Sequence, residues 1–163
     1  MEYIWIGKIV NTHGIKGELR IKSDFERKDL VFKKGFNLYI GEEKKKETIT
    51  SYRVHKDFDM VTFEGYRDIN EVLKYLKRNV YINRDDLKLD DKEVLLEDII
   101  GMEVEDNQEI IGKIKDYVYN NSNILLVVSG GKNFYIPYKS NYIVKIDKEN
   151  KIVYTKNARD LML

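Results

Sequence analysis

Gly7-Lys8-Ile9-Val10-Asn11-Thr12-His13-Gly14-Ile15-Lys16-Gly17-Glu18 runs without a break into Leu19-Arg20-Ile21-Lys22-Ser23-Asp24-Phe25. In the later part of this stretch, apolar Leu19, Ile21 and Phe25 alternate with Arg20, Lys22 and Asp24. That period of two puts one face of a strand in a core and the other in water. The glycines before it admit two readings. Gly14-Ile15-Lys16-Gly17 matches the GXXG loop with which KH domains clamp RNA backbone, and a glycine-rich loop can cradle a phosphate through its amides. A KH loop joins two helices, however, whereas this one leaves an apolar strand and enters another. The same glycines then allow a turn and a close backbone approach at a barrel corner. His13, Lys16, Arg20 and Lys22 share one rim and one outward strand face, a candidate phosphate-contacting strip whose plain alternative is a soluble edge.

Outward from this segment the pattern stays β. Residues 3–10, 36–40, 48–54, 60–63 and 80–82 are rich in β-branched and aromatic side chains and are separated by Gly, Lys and Asp turns. Lys44-Lys45-Lys46 after Glu42-Glu43 reads as a solvated hairpin tip. One helix interrupts the strands. Asp68 can cap the first turn, Glu71 stands three residues on as in a capping box, and Ile69, Val72, Leu73 and Leu76 fall at helical spacing. The second half carries short apolar runs at 99–104, 110–114, 117–119, 124–128, 134–136, 143–146 and 152–154. Their turns are Asp106-Asn107, Asn120-Asn121-Ser122, Gly130-Gly131 and Asp147-Lys148-Glu149-Asn150. Strands at such spacing predict a small barrel or sandwich. Pro137, the one proline, ends a strand, where its missing N–H costs least.

The 163 residues hold 29 Lys and Arg against 28 Asp and Glu, two His and no Cys, with 42% hydrophobic and 12% aromatic side chains. A chain this apolar can repay its ordering entropy and fold. Without Cys there is no disulfide or thiolate site, as suits a reducing compartment. No run approaches a membrane span, and the start lacks a signal-peptide pattern, so a cytoplasmic protein is expected. Charge divides unevenly: residues 1–88 carry 19 basic and 15 acidic side chains, residues 89–163 carry 10 and 13. The charge-dense stretch around 84–93 holds no aromatic residue and marks a boundary between two units. The expected division is 1–86, a linker at 87–93, and 94–163.

Catalytic chemistry has little to build on. His13 and His55 are the only imidazoles, no Ser sits in a nucleophile elbow, and neither His has a partner at metal-ligand spacing. Asp85-Asp86 and Asp90-Asp91 could hold a hard cation, but in a charge-dense linker such pairs are solvated surface. No enzyme, cofactor or metal is expected.

The glycine and histidine segment, with Gly7, His13-Gly14 and Gly17-Glu18 at their spacing, resembles the opening signature of the bacterial ribosome maturation factor RimM family. Arg67-Asp68-Ile69-Asn70-Glu71 resembles that family's helix start, and Asp98-Ile99-Ile100-Gly101-Met102-Glu103-Val104 is similar to the Asp-Leu-Ile-Gly opening of its second domain. Gly112-Lys113-Ile114-Lys115-Asp116, Ile136-Pro137 and Ile146-Asp147 follow in the family's order. Glu18, Asp98, Gly101, Gly112 and Pro137 thus join Gly7, Gly14 and Gly17 as motif residues with structural roles.

The resemblance implies a mostly β protein of two small barrels. The first is a six-stranded barrel like those of translation elongation factors, and the second is a PRC barrel. It implies a non-catalytic cytoplasmic factor, here expected to be a monomer, that acts on the maturing small ribosomal subunit. Such a factor binds the subunit's nineteenth protein and assists folding of the head and processing of 16S rRNA. On that analogy His13, Lys16, Arg20 and Lys22 are the candidate rRNA contacts, and Leu95, Leu96, Tyr135 and Tyr138 the candidate protein contacts. The chain departs from the pattern at Val94-Leu95-Leu96, where many members carry an aromatic pair, and at Val72, Lys77-Arg78-Asn79 and the Asp160-Leu161-Met162-Leu163 tail. Two other readings stand beside this one: a PRC-barrel adaptor for a non-ribosomal protein, and a metal-dependent rRNA-processing enzyme.

Overall fold

The alternation at Leu19 to Lys22 is realised as a strand whose Leu19 and Ile21 are fully buried. The computed structural model describes residues 1–121 and 123–162, so Ser122 and Leu163, named above in a turn and in the tail, lie outside the described residues. The chain separates into two units, Met1–Asp90 and Asp91–Leu163.

The first unit runs β1 (Tyr3–His13), β2 (Glu18–Lys22), α1 (Lys28–Val31), β3 (Asn37–Ile40), β4 (Lys45–His55), β5 (Phe58–Phe63), α2 (Ile69–Val72) and β6 (Asn79–Asn83). Its strands close into a barrel in the order β1-β2-β5-β4-β3-β6, every neighbouring pair antiparallel. Ile6, Ile9, Leu19, Ile21, Leu38 and Phe63 point inward and are almost completely buried. The glycines serve the corners. A Cβ on Gly7 would stand 2.4 Å from the Lys22 carbonyl oxygen, and Gly14 and Gly17 turn the β1–β2 hairpin at positive φ. Because that hairpin joins two antiparallel strands, the KH reading of Gly14-Ile15-Lys16-Gly17 does not hold.

Two expectations shift in this unit. The strand expected to run to Phe25 ends at Lys22, because the Ser23 hydroxyl donates to the Ile6 carbonyl at 2.6 Å and accepts from the Phe25 N–H, turning the chain away. The helix is capped by Asp68, which accepts from the Asn70 N–H at 2.7 Å, while Glu71 reaches back to the Arg67 N–H rather than to Asp68. After one α turn it tightens to a 3-10 turn, Leu73–Tyr75. With three residues per turn, the inward positions become Val72 and Tyr75, and Leu73 is left exposed. Tyr75 and Tyr66 both donate their hydroxyls to Glu47, a carboxylate buried on β4.

The second unit runs α3 (Leu96–Ile99), β7 (Glu103–Asp106), β8 (Glu109–Asn120), β9 (Asn123–Ser129), β10 (Phe134–Pro137), β11 (Ile143–Asp147) and β12 (Ile152–Thr155). The strands order as β10-β9-β8-β7-β12-β11, with β7 and β12 parallel and the other pairs antiparallel. Phe134 and Ile136 of β10 and Ile143 and Ile146 of β11 lie against the same cluster as Val104, Ile114, Leu126, Val128 and Val153. The sheet therefore curls over one core, although its hydrogen-bonded ladder ends at β10 and β11.

The run at 99–104 is not a strand throughout. Asp98 accepts the Leu95 N–H at 2.9 Å, and Ile99 ends a helical turn. Gly101 then reverses the chain at φ 91, and its N–H donates to the Ile114 carbonyl before β7 begins. The two runs at 110–114 and 117–119 are one strand, β8, bulged between Ile114 and Asp116. Gly112 makes room where β8 meets β9, since a Cβ there would stand 2.5 Å from the Ser129 carbonyl oxygen. No helix among the described residues is long and apolar enough to cross a membrane.

Candidate functional site

Barrel order decides which polar side chains meet. Strand β2 lies between β1 and β5, and β5 pairs in turn with β4, so outward residues from four strands share one exterior face. Arg20 on β2 and Arg53 on β4 both stand in register with Met60 of β5, while His13 is paired with Glu18 and His55 with Phe58. The His13 and His55 rings lie 5.3 Å apart. An Arg20 Nη is 3.2 Å from His13 Nδ1. An arginine nitrogen only donates, so Nδ1 accepts and the ring proton sits on Nε2.

The Arg20 guanidinium also lies 5.1 Å over the Phe58 ring, and Lys22 Nζ is 5.9 Å from the same ring. Arg20 Nε is buried with no hydrogen-bond partner. Glu18 is the carboxylate of the face: it takes both Arg53 nitrogens in a fork at 2.8 and 2.9 Å, and this bond holds its pKa below the usual carboxylate value. The His55 imidazole is pushed below 6.5, first by burial and then by Arg53, His13, Lys56 and Arg20. Several cations thus stand against one engaged carboxylate, around an aromatic ring, and an anion brought here would relieve their mutual repulsion.

Lys16 stands apart, on the exposed tip of the β1–β2 hairpin. It borders an open depression of about 420 Å³ lined also by His13, Gly14, Ile15, Glu18 and Thr62. The hairpin tip is held to the start of α2, where the Ile69 N–H donates to the Ile15 carbonyl at 2.9 Å. A Cβ on Gly17 would lie 3.4 Å from the Asp68 nitrogen. The glycine segment and the segment beginning at Arg67, far apart in sequence, therefore meet at one corner of the barrel.

Of the strip named from sequence, Arg20 and Lys22 come together over Phe58, His13 joins them through Arg20, and Lys16 adjoins His13. Arg53, His55, Lys56 and Phe58 were missed. They belong to the β4–β5 hairpin, and only the closed strand order, which no local spacing reveals, brings them beside β2. In the second unit, Leu95 and Leu96 are each 2% exposed, and Leu96 is part of the core, which removes both as surface contacts. Leu96 packs into the core of this unit, and Leu95 is buried next to it in the chain. Tyr138 is half-buried against the same core, and Tyr135, 49% exposed, is the one of the four open to a partner.

A closed barrel with a cationic and aromatic exterior, followed by a second curled sheet, defines a two-domain β protein. The chain matches the model of the RimM N-terminal domain over residues 4–87 and that of the RimM PRC barrel domain over residues 96–161. It is 40% identical over 153 residues to ribosome maturation factor RimM of Staphylococcus haemolyticus, covering 91% of this chain and 92% of that protein. To RimM of Staphylococcus aureus it is 38% identical over 151 residues, with 90% of each covered. Among solved structures, RimM of Pseudomonas aeruginosa is similar with a TM-score of 0.48 at 20% identity, over 98% of this chain and 99% of that one. The N-terminal domain of RimM from Thermus thermophilus gives 0.46 at 21% identity, over 55% of this chain and 98% of that one. The chain belongs to the RimM family of ribosome maturation factors.

Proposed function

We propose that this protein is a non-catalytic assembly factor of the small ribosomal subunit. It binds the subunit's nineteenth protein and the maturing 16S rRNA, and promotes folding of the head and rRNA processing, as a cytoplasmic monomer. The observation that carries this reading is the match to both RimM domains together with curated ribosome maturation factors at 40% identity across nearly the whole chain. The face of His13, Arg20, Lys22 and His55 supports the rRNA part, with Lys16 at its rim. Tyr135, exposed on the outside of β10, and the half-buried Tyr138 are the protein contacts that remain among the candidates from sequence. Such a factor acts by binding the assembly-competent conformation more tightly than its competitors and so raising its population.

The test uses the full chain. Lys16→Glu with Arg20→Glu is expected to lower co-sedimentation with immature small subunits by roughly tenfold, which corresponds to about 1.4 kcal/mol. Binding to the isolated nineteenth protein and thermal stability should stay unchanged. Unaltered co-sedimentation would remove this face from the reading. Absence of binding to the nineteenth protein by the unmodified chain would remove that partner.

A further inference from the structure

A second face of the first barrel carries a different chemistry. Along β1 the outward side chains are Tyr3, Trp5 and Lys8, and across the sheet Trp5 pairs with Tyr81 of β6, which pairs with Tyr39 of β3. The tryptophan is 58% exposed, a large fraction for the side chain with most to gain from burial. It is nonetheless held in place, since its Nε1–H donates to Asn79 Oδ1 at 3.1 Å. Tyr3 packs edge-on to Tyr39 at 5.2 Å, and Lys44 Nζ sits 4.0 Å from the Tyr81 ring and 5.6 Å from that of Tyr3. Two carboxylates border the group: Glu42 accepts the Tyr81 hydroxyl at 3.2 Å, and Asp86 lies close enough to Tyr39 to add to burial in raising its phenol pKa.

We propose that the Trp5, Tyr81 and Tyr3 face is a stacking platform for unpaired RNA bases, with Lys44 and Lys8 taking the adjoining phosphates. Three observations favour RNA over a protein partner. Lysine is depleted from the cores of protein interfaces, yet here an ammonium group stands among the rings. Aromatic rings beside cations are the standard composition of single-strand binding surfaces, because every base offers a face to stack. Finally, Lys8 is paired in register with Lys22, so the platform continues along β1 into the cationic face of Arg20 and His13. The two surfaces make one path on a single barrel: phosphate contacts at one end and base stacking at the other. The choice of RNA rests on the assembly-factor reading, and the experiment below separates the two.

The chain contains one tryptophan, so its emission reports this face alone. Titrating the full-length protein with a uridine decamer is expected to quench that emission saturably, with affinity falling as salt rises. An abasic ribose-phosphate decamer should bind at least about tenfold more weakly and leave the emission unchanged. By anisotropy of labelled decamer, Trp5→Leu should weaken binding by roughly fivefold to a hundredfold, the range for one lost stack. Trp5→Phe, which keeps a ring and guards against misfolding, should restore most of it. Equal binding of the decamer by Trp5→Leu, equal quenching by the abasic chain, or no binding of the decamer overturns the platform. Quenching by the nineteenth small-subunit protein without quenching by RNA makes the face a protein interface and also overturns it. Immature subunits that still bind when the decamer does not leave the assembly reading standing and the platform refuted. The decamer bound at Trp5 with no binding to subunits does the reverse.

Discussion

The two units use the same strands differently. In the first, six strands close on themselves, every edge is paired, and the outward positions are free to carry arginines, histidines and exposed aromatic rings. In the second, the ladder stops at β10 and β11, and the outer strands contribute Phe134, Ile136, Ile143 and Ile146 to the core. Its edges carry Pro137 and Lys145, residues that discourage another strand from pairing. Closure by hydrogen bonds leaves the first unit no strand edge to protect, whereas closure by packing leaves the second unit two edges that Pro137 and Lys145 guard.

The sharpest way to break this comparison is to force the strands apart in one unit at a time. Gly7→Ala places a methyl group 2.4 Å from a β2 carbonyl, and Gly112→Ala places one 2.5 Å from a β9 carbonyl. Each is expected to cost about 3 kcal/mol, since backbone on both sides must move. Hydrogen exchange should show the loss confined to the first unit for Gly7→Ala and to the second for Gly112→Ala. Loss of protection in both units from either change would show that they unfold as one.

A smaller effect is expected at Glu47, whose carboxylate takes the Tyr66 and Tyr75 hydroxyls and so ties the 3-10 turn after α2 to the barrel wall. Burial, and then the bond to Glu47, raise the Tyr75 phenol far above its ordinary range. Glu47→Ala removes the acceptor that both hydroxyls share, leaving them only each other at 3.3 Å, and should cost about 2 kcal/mol, read by denaturant unfolding. A loss no greater than for an exposed Glu→Ala would mean the tie carries nothing.

The smallest effect is in pH. The folded His55 binds its proton less readily than the unfolded chain, so stability falls as pH drops below about 6.5 and through the folded pKa, and is fully present above it. Comparing melting temperatures of the parent and His55→Gln from pH 7.5 to 5 should show the parent losing more on acidification. An anion on the face reverses the sign, because it favours the imidazolium. Affinity for a phosphate-bearing ligand should therefore rise over the same interval, and parallel melting curves for parent and variant would show that His55 does not feel its cationic neighbours.

Much of the architecture was legible in the sequence because a period of two survives any tertiary context. Leu19 and Ile21 go inward as the alternation requires, and Asn107, Gly131 and Lys151 turn the chain at positive φ at or directly after three of the expected turns. What could not be read was set by long-range pairing. Glu47 looks like surface charge beside Lys45 and Lys46, and becomes a buried acceptor only when Tyr66 and Tyr75 arrive from 19 and 28 residues away. Half of the cationic face was named from β1 and β2, and the other half needed β5 to be known as the neighbour of β2. Leu95 and Leu96 were misread because an apolar run after a linker fits an exposed anchor as well as the first turn of a core helix.

The parallel pairing of β7 with β12 sets an order on synthesis. Asp106 and Thr155 are register partners, as are Glu103 and Ile152, so the β12-β11 end of the second sheet stays unfinished until nearly the last of its residues have left the ribosome. The first barrel is complete once β6 has paired with β1 and β3, some 70 residues sooner. At typical synthesis rates of about 5–20 residues per second that interval is several seconds, long compared with the folding time of many small domains. The nascent protein thus carries a finished barrel, with its outer surface ready, ahead of a second sheet still waiting for its last two strands.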